Sequence, residues 1–378
     1  MKKVALAIDS FKGSLSSREA EEAFEQGFRR AIPDCQIVKV EIADGGEGTV
    51  ETLTEALGGR CIDIEVHDPL HRPITARYGT IEGGRVAIIE MAAASGLALL
   101  APEERNPLLT STYGTGEMIA DAIQRGCRKV LLGIGGSATN DGGVGALRAL
   151  GFRFLDCRGE ELCGGGEILA KIDRIEYQER YNELSECEFI VACDVTNPLY
   201  GASGAAYVFA PQKGADEAMV EALDLGLRNY ARVVEGYNGS MIGELQGAGA
   251  AGGLGGGLRA LLDARLVRGI DMVLEAVGFA DKIKGCDLVI TGEGRIDRQT
   301  LMGKAPSGVL AVAMAQGIPT IAIGGSVVWC EELRRSGFAA IEATTPEGMP
   351  LNEAMKPSTA KENIIRTAEL IARRFTTN

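Results

Sequence analysis

The chain has 378 residues, 46% of them apolar, and a net charge of −13. That is enough for two domains with ordinary cores, and the acidic balance argues against nucleic acid or an anionic membrane surface as a partner. Nine cysteines without a C-x-x-C pair offer no readable disulfide framework or zinc site, and two histidines, His67 and His71, are too few for His-based hydrolase chemistry, so proton transfer falls to carboxylates or lysines.

In chain order, Lys3 to Ile8 reads as a strand. Ser16-Ser17-Arg18-Glu19 then opens a helix, to about Ala31, with a serine-plus-acid capping box. A second strand spans Ile37 to Ile42, and a helix from Glu47 to Leu57 stops at Gly58-Gly59. The texture then changes. Cys61 to Val66 and Ile74 to Ile81 alternate apolar and polar residues, and with Val86 to Met91 they predict antiparallel or mixed strands. Thr115 to Arg125 is helical, Val130 to Ile134 a buried strand and Val144 to Leu150 a helix. Strands follow at Phe189 to Cys193 and Ala205 to Phe209, then a helix at Ala215 to Val234 and partial helix over Ala264 to Val277.

After Gly285 the strand–helix alternation returns. Strands are expected at Asp287 to Thr291, Pro319 to Ile323 and Ala339 to Thr344, with helices at Lys304 to Gln316, Glu331 to Ser336 and Thr359 to Phe375. Two early and three late strands predict one α/β, doubly wound, flavodoxin-like parallel-sheet domain split by an inserted mixed α/β domain. The expected boundaries are 1–62 and 284–378 for the split domain and 63–283 for the insert. The short apolar N-terminus and the lack of a long apolar run predict a cytoplasmic protein.

The chemistry concentrates in glycine turns that carry charge. Gly133 to Gly143 joins a strand to a helix, an arrangement in which glycines let the backbone approach a ligand and the helix start supplies N–H groups. Gly135, Gly136, Ser137, Thr139 and Asn140 are candidate phosphate or substrate contacts, and Asp141 could hold a metal ion. Asp9, Ser10 and Lys12 follow the first strand, where open parallel sheets bind ligands. Asp44 follows the second strand, and Asp194 ends another. Lys213 lies in a loop after Pro211-Gln212, and Glu293, Arg295, Asp297 and Lys304 follow Asp287 to Thr291. Gly247 to Gly257 has the same character, yet its G-x-G-x-x-G lacks a preceding strand and is no dinucleotide fingerprint. Carboxylates for a divalent cation, lysines and arginine for anionic charge and backbone N–H groups for phosphate oxygens are the inventory of phosphoryl transfer. Among the acids, Asp194 is favoured to receive the substrate proton or orient its hydroxyl. Asp44 and Asp297 are the competing choices, Lys12 is the best-placed lysine, and Asp297 and Asp141 are the candidate metal ligands.

Taken together, Asp9-Ser10-Phe11-Lys12-Gly13-Ser14, Ala43 to Thr49, Gly133 to Gly143, Ala192 to Leu199, Pro211 to Ala215 and Gly292-Glu293-Gly294 with Gly303-Lys304 resemble the bacterial glycerate kinase family over nearly the whole length. The resemblance implies an ATP- and Mg²⁺-dependent kinase of D-glycerate in glyoxylate, glucarate or serine breakdown, with 2-phosphoglycerate the favoured product and the site in the cleft between the two domains. A kinase or phosphatase of another small hydroxy acid and a non-catalytic nucleotide or phosphate sensor are the alternatives. The density of carboxylates and lysines in the turns tells against the sensor.

Overall fold

The structure, a computed structural model, describes residues 2–42, 49–178 and 180–376. Its strands are β1 Lys3–Ile8, β2 Gln36–Lys39, β3 Arg60–His67, β4 Pro73–Ile81, β5 Val86–Glu90, β6 Lys129–Gly133, β7 Phe152–Leu155, β8 Arg174–Tyr177, β9 Glu188–Ala192, β10 Arg265–Val267, β11 Leu288–Ile296, β12 Thr320–Val327 and β13 Ala340–Ala343. The helices that matter below are α1 Ser17–Ala31, α2 Thr49–Ala56, α3 Tyr113–Gln124, α4 Val144–Ala149, α5 Ala205–Phe209, α6 Glu217–Asn238, α7 Leu254–Leu262, α8 Gly269–Ala276, α9 Ala305–Ala315 and α10 Pro357–Thr376. Among the described residues no helix is long and apolar enough to cross a membrane. The chain divides into two units, Met1–Thr49 with Ile270–Asn378, and Val50–Gly269.

The first unit is built on a five-stranded sheet in the order β13-β12-β11-β1-β2, and all four pairings are parallel. Counted within the unit this is 2-1-3-4-5 read from the other edge, with β1 beside β11 in the register Val4↔Leu288 to Ile8↔Gly292. The run Val4 to Ile8 is continuously apolar because a central parallel strand is covered on both faces. Val4, Leu6 and Ile8 share a core with Phe24 and Phe28 of α1 and Ile364, Ala368 and Ile371 of α10, while α9 packs against β11 and β12. The capping box read from the sequence starts α1: Ser16 Oγ accepts the Glu19 N–H at 3.3 Å, and Glu19 Oε2 accepts the Ser16 N–H at 2.9 Å. Gly27 permits the tight crossing of α1 over α10, since a Cβ there would lie 2.0 Å from the Ile365 carbonyl oxygen.

The second unit holds a six-stranded mixed sheet in the order β10-β9-β6-β5-β4-β3 and a separate β7–β8 hairpin. β3, β4 and β5 pair antiparallel, and β5, β6, β9 and β10 run parallel, in keeping with the antiparallel or mixed strands expected from the sequence. Residues 50–62 cluster with the second unit rather than the first, and β3 pairs there with β4 along its whole length, from Arg60↔Thr80 to His67↔Pro73. At the other boundary residues 270–283 cluster with the first unit, where the Ile270 side chain packs against Gly308 of α9. Ala205–Phe209 is a helix rather than a strand. A five-residue apolar run carries no periodicity that separates the two, and the small buried Ala205 and Ala206 let this turn of helix lie close against α6.

Glu21 of α1 is buried at 1% exposure in the first unit and accepts the Ile8 N–H at 3.4 Å. Burial, with the Glu41 charge adding to it, pushes its carboxyl up to about 8. A carboxyl raised above its unfolded value contributes its full stability below pH 4.5 and loses it as pH rises through 8. Glu21→Gln keeps the acceptor without the charge. Its melting temperature is expected to match the wild type near pH 4.5 and to exceed it by roughly 2–4 °C or more at pH 8.5. A gap that does not widen with pH contradicts the burial argument.

Candidate functional site

In the second unit the site is the turn that leaves β6. Gly133, the last residue of β6, pairs with Glu90 of β5 and Ala192 of β9, so the turn springs from the carboxyl edge of three parallel strands. Gly135 and Gly136 are exposed at its tip, and Gly136 has φ +72°, a left-handed conformation that favours glycine. Ser137 is half-buried, and Thr139 and Asn140 are fully buried. Three of their side-chain atoms, Thr139 Oγ1, Asn140 Nδ2 and Asn140 Oδ1, have no hydrogen-bond partner. Each such buried orphan costs on the order of 1–3 kcal/mol, a cost that points to a ligand or water as the missing partner.

Two fasteners hold the turn. Asp141 is fully buried and accepts four hydrogen bonds, from Thr112 N–H at 2.8 Å, Thr112 Oγ1 at 2.9 Å, Gly143 N–H at 3.1 Å and Gly145 N–H at 3.2 Å. Burial pushes its carboxyl up, and these donors oppose that rise. Three of these bonds fall on Oδ2 and one on Oδ1, and together they make Asp141 an anchor for the start of α4. The second fastener is Lys213. Its Nζ lies 2.7 Å from Ser137 Oγ and 2.6 Å from the Thr139 carbonyl oxygen, and the residue is 2% exposed. Burial lowers the amine to about 7, against the opposing pull of the Asp141 charge. Lys213 therefore lies beneath the turn rather than out in solvent. The Pro211–Lys213 turn that carries it ends at Gly214, φ +95°, where a Cβ would lie 2.1 Å from the Arg105 carbonyl oxygen.

Gly247 to Gly257 is a packing partner of this turn. Gly252 O accepts the Gly142 N–H at 3.0 Å, and a Cβ on Gly252 would lie 2.1 Å from the Thr139 carbonyl oxygen. Residues 252–257 are buried, so these glycines serve close backbone approach and present no open loop. Thr110 and Thr112 are contributors not anticipated from the sequence. Thr110 Oγ1 donates to the Ala138 carbonyl at 2.8 Å, and Thr112 caps the Asp141 carboxylate. The signal was the hydroxyl run Thr110-Ser111-Thr112 just before α3. Asp194, exposed two residues past β9, accepts the Gly269 N–H at 2.9 Å on Oδ1.

In the first unit, the register that sets Ile8 beside Gly292 and Glu293 beside Gly324 places Asp9 level with Glu293 at the carboxyl edge of the sheet. This is the β1–β11 switch point, where 2-1-3-4-5 sheets bind ligands. Asp9 is 6% exposed and its Oδ1 accepts the Ser10 N–H at 2.6 Å; its own N–H donates to Gly292 O at 2.9 Å. Lys12 is exposed in the Phe11–Leu15 turn, and a Cβ on Gly294 would lie 3.6 Å from its N atom. Glu293 accepts Thr300 Oγ1 at 2.6 Å and pairs with Lys304 Nζ at 3.1 Å. Arg295 pairs with Asp297 at 3.1 Å, and Asp297 also accepts the Gln299 N–H at 2.8 Å as the cap of Arg298–Leu301. Asp44 lies outside the described residues. Among the described residues no group of three or more His, Cys, Asp or Glu side chains is arranged to hold a metal ion.

The profile of the Glycerate kinase family matches residues 4–376. The chain is 47% identical to a Bacillus subtilis (strain 168) glycerate kinase, over 98% of this chain and 97% of that protein. It is 44% identical to the Escherichia coli (strain K12) glycerate 2-kinase, again over 98% and 97%. A solved Salmonella typhimurium LT2 structure described as a glycerate kinase 2 superposes with a TM-score of 0.84 at 43% identity, covering 100% of this chain and 98% of that one. With the match running almost end to end, the chain belongs to the glycerate kinase family.

Proposed function

We propose that the protein transfers the γ-phosphoryl group of ATP to a hydroxyl of D-glycerate, favouring the 2-hydroxyl, as a cytoplasmic enzyme of glyoxylate, glucarate or serine breakdown. The observation that carries this reading is the Gly135–Asn140 turn, with exposed glycines at its tip, unpartnered buried polar atoms behind them and a lysine amine beneath. Such a turn offers N–H groups and neutral donors to carboxylate or phosphate oxygens. Belonging to the glycerate kinase family supports the choice of glycerate over other hydroxy acids.

The first unit we read as doubly wound, with Asp9, Ser10, Glu293, Arg295 and Lys304 binding substrate or phosphate and Lys12 serving phosphate charge at its carboxyl edge. Lys12 is exposed beside the switch point, and an ammonium there neutralises charge that builds on transferring oxygens. Mg²⁺ suits this chain, because magnesium takes one or two carboxylates with phosphates and waters rather than a full protein cage. Asp194, an exposed carboxylate, would hold it, and Asp44 remains a second choice. When bound, the ion neutralises the polyphosphate and fixes its orientation.

Incubation with ATP, Mg²⁺ and D-glycerate, followed by phosphorus NMR, is expected to show 2-phosphoglycerate. The 3-phosphate in its place refutes the choice of hydroxyl, and no phosphoglycerate with any divalent metal refutes the function. Lys12→Ala and Asp194→Asn are each expected to lower kcat by about a hundredfold or more at an unchanged melting temperature. Near-normal kcat in Asp194→Asn would leave Asp194 as no more than the acceptor of the Gly269 N–H.

A further inference from the structure

We propose that Ser137 and Lys213 form a proton relay, in which Ser137 Oγ takes the hydroxyl proton of the substrate and passes its own proton to Lys213 Nζ. The proposal rests on the glycerate kinase reading above. Four observations carry it. Ser137 is half-buried and directly follows the exposed Gly135 and Gly136. Lys213 Nζ is 2.7 Å from that hydroxyl, within direct proton-transfer reach. The second contact of Nζ, 2.6 Å to the Thr139 carbonyl oxygen, which accepts a hydrogen bond from the amine, holds Nζ in place beside Ser137. Finally, Lys213 is 2% exposed, and among the described residues no carboxylate bonds to it. A lysine whose task were to meet anionic oxygens would be expected to reach solvent, whereas this one can act on substrate only through Ser137.

Burial lowers the amine to about 7, so near neutral pH a good fraction carries the lone pair that the relay needs. The charged group that faces it is Asp141, which raises the amine and stabilises the ammonium formed after transfer. Arg105, from the segment before α3, packs its backbone against Gly214. The hydroxyl of Ser137 can rotate to donate or accept, so the same 2.7 Å contact serves before and after the proton moves.

The step balances. The substrate O–H bond breaks as its oxygen forms a bond to the γ-phosphorus, and the bond from that phosphorus to the β,γ-bridging oxygen breaks with its electron pair leaving on ADP. The hydroxyl proton goes to Ser137 Oγ, the Ser137 proton goes to the Nζ lone pair, and the resulting ammonium returns one proton to solvent after the products leave. Asp194 is thereby relieved of the proton-accepting role and is free to hold the metal ion.

The test is steady-state kinetics with ATP, Mg²⁺ and D-glycerate from pH 5.5 to 9 on the wild type, Ser137→Ala and Lys213→Arg, with a thermal melt of each. The wild-type kcat is expected to fall about tenfold per pH unit below pH 7, where the amine is protonated. Ser137→Ala is expected to lose on the order of a hundredfold in kcat at pH 7.5, to melt as the wild type does and to show no acid limb in its residual rate. Lys213→Arg, always protonated, is expected to be as slow and equally flat with pH. Ser137→Ala that retains the acid limb, whether fast or slow, overturns the relay and leaves Lys213 as a fastener of the turn. A wild type without an acid limb overturns it too. If the wild type itself fails to phosphorylate glycerate, the reaction assignment falls and the relay with it, an outcome distinct from turnover with an unaltered limb.

Discussion

The second unit is arranged around one buried amine. Lys213 is as deep in the protein as a core leucine, yet its two polar contacts, Ser137 Oγ and the Thr139 carbonyl, both belong to the turn that leaves β6. An amine withdrawn from water must be hydrogen-bonded or neutral, so the turn cannot drift from Lys213 without leaving that group stranded. Asp141 imposes the matching constraint from the other end of the turn, where four donors from Thr112, Gly143 and Gly145 satisfy it. Pinned at 137–139 and at 141, the segment has little freedom left, and Gly135 and Gly136 are held open at its tip. The orphaned amide of Asn140 marks where this order is not repaid inside the protein.

The first unit meets a similar problem by topology. A 2-1-3-4-5 parallel sheet brings the ends of β1 and β11 side by side although they are nearly 300 residues apart in sequence. Asp9 and Glu293 thus reach one edge through strand register alone. There Glu293 is tied to Thr300 and Lys304, and Asp297 to Arg295 and Gln299. Most of these charges are spent on one another, while Lys12 and Arg295 are both exposed.

Much of this was legible in the sequence. The apolar runs Lys3 to Ile8 and Asp287 to Thr291 announced strands of a parallel sheet, the alternation in β3 and β4 announced antiparallel or mixed strands, and Ser16 with Glu19 announced the start of α1. The Gly133 to Gly143 turn was recognisable because strand, glycines, hydroxyls and acid stood in one run. What escaped was tertiary. Ala205–Phe209 carries no period, and only packing against α6 makes it a helix. The role of Asp141 depends on Thr112, 29 residues away, and that of Lys213 on Ser137, 76 residues away. The glycines of Gly247 to Gly257 looked like a ligand loop, since close approach to another backbone demands the same residues as close approach to a phosphate. Burial separates the two uses, and burial is not written in a short motif.

The most direct test of the account is hydrogen–deuterium exchange of the peptide spanning residues 134–143, with and without D-glycerate and a non-hydrolysable ATP analogue. If this turn meets the ligand, its exposed amides at Gly135 and Gly136 should gain protection on addition of D-glycerate, while β6 beneath them, already protected, does not change. Binding of D-glycerate seen by calorimetry, together with unaltered exchange over 134–143, would contradict the account, since the turn that Lys213 holds in place would then have no part in recognising the substrate.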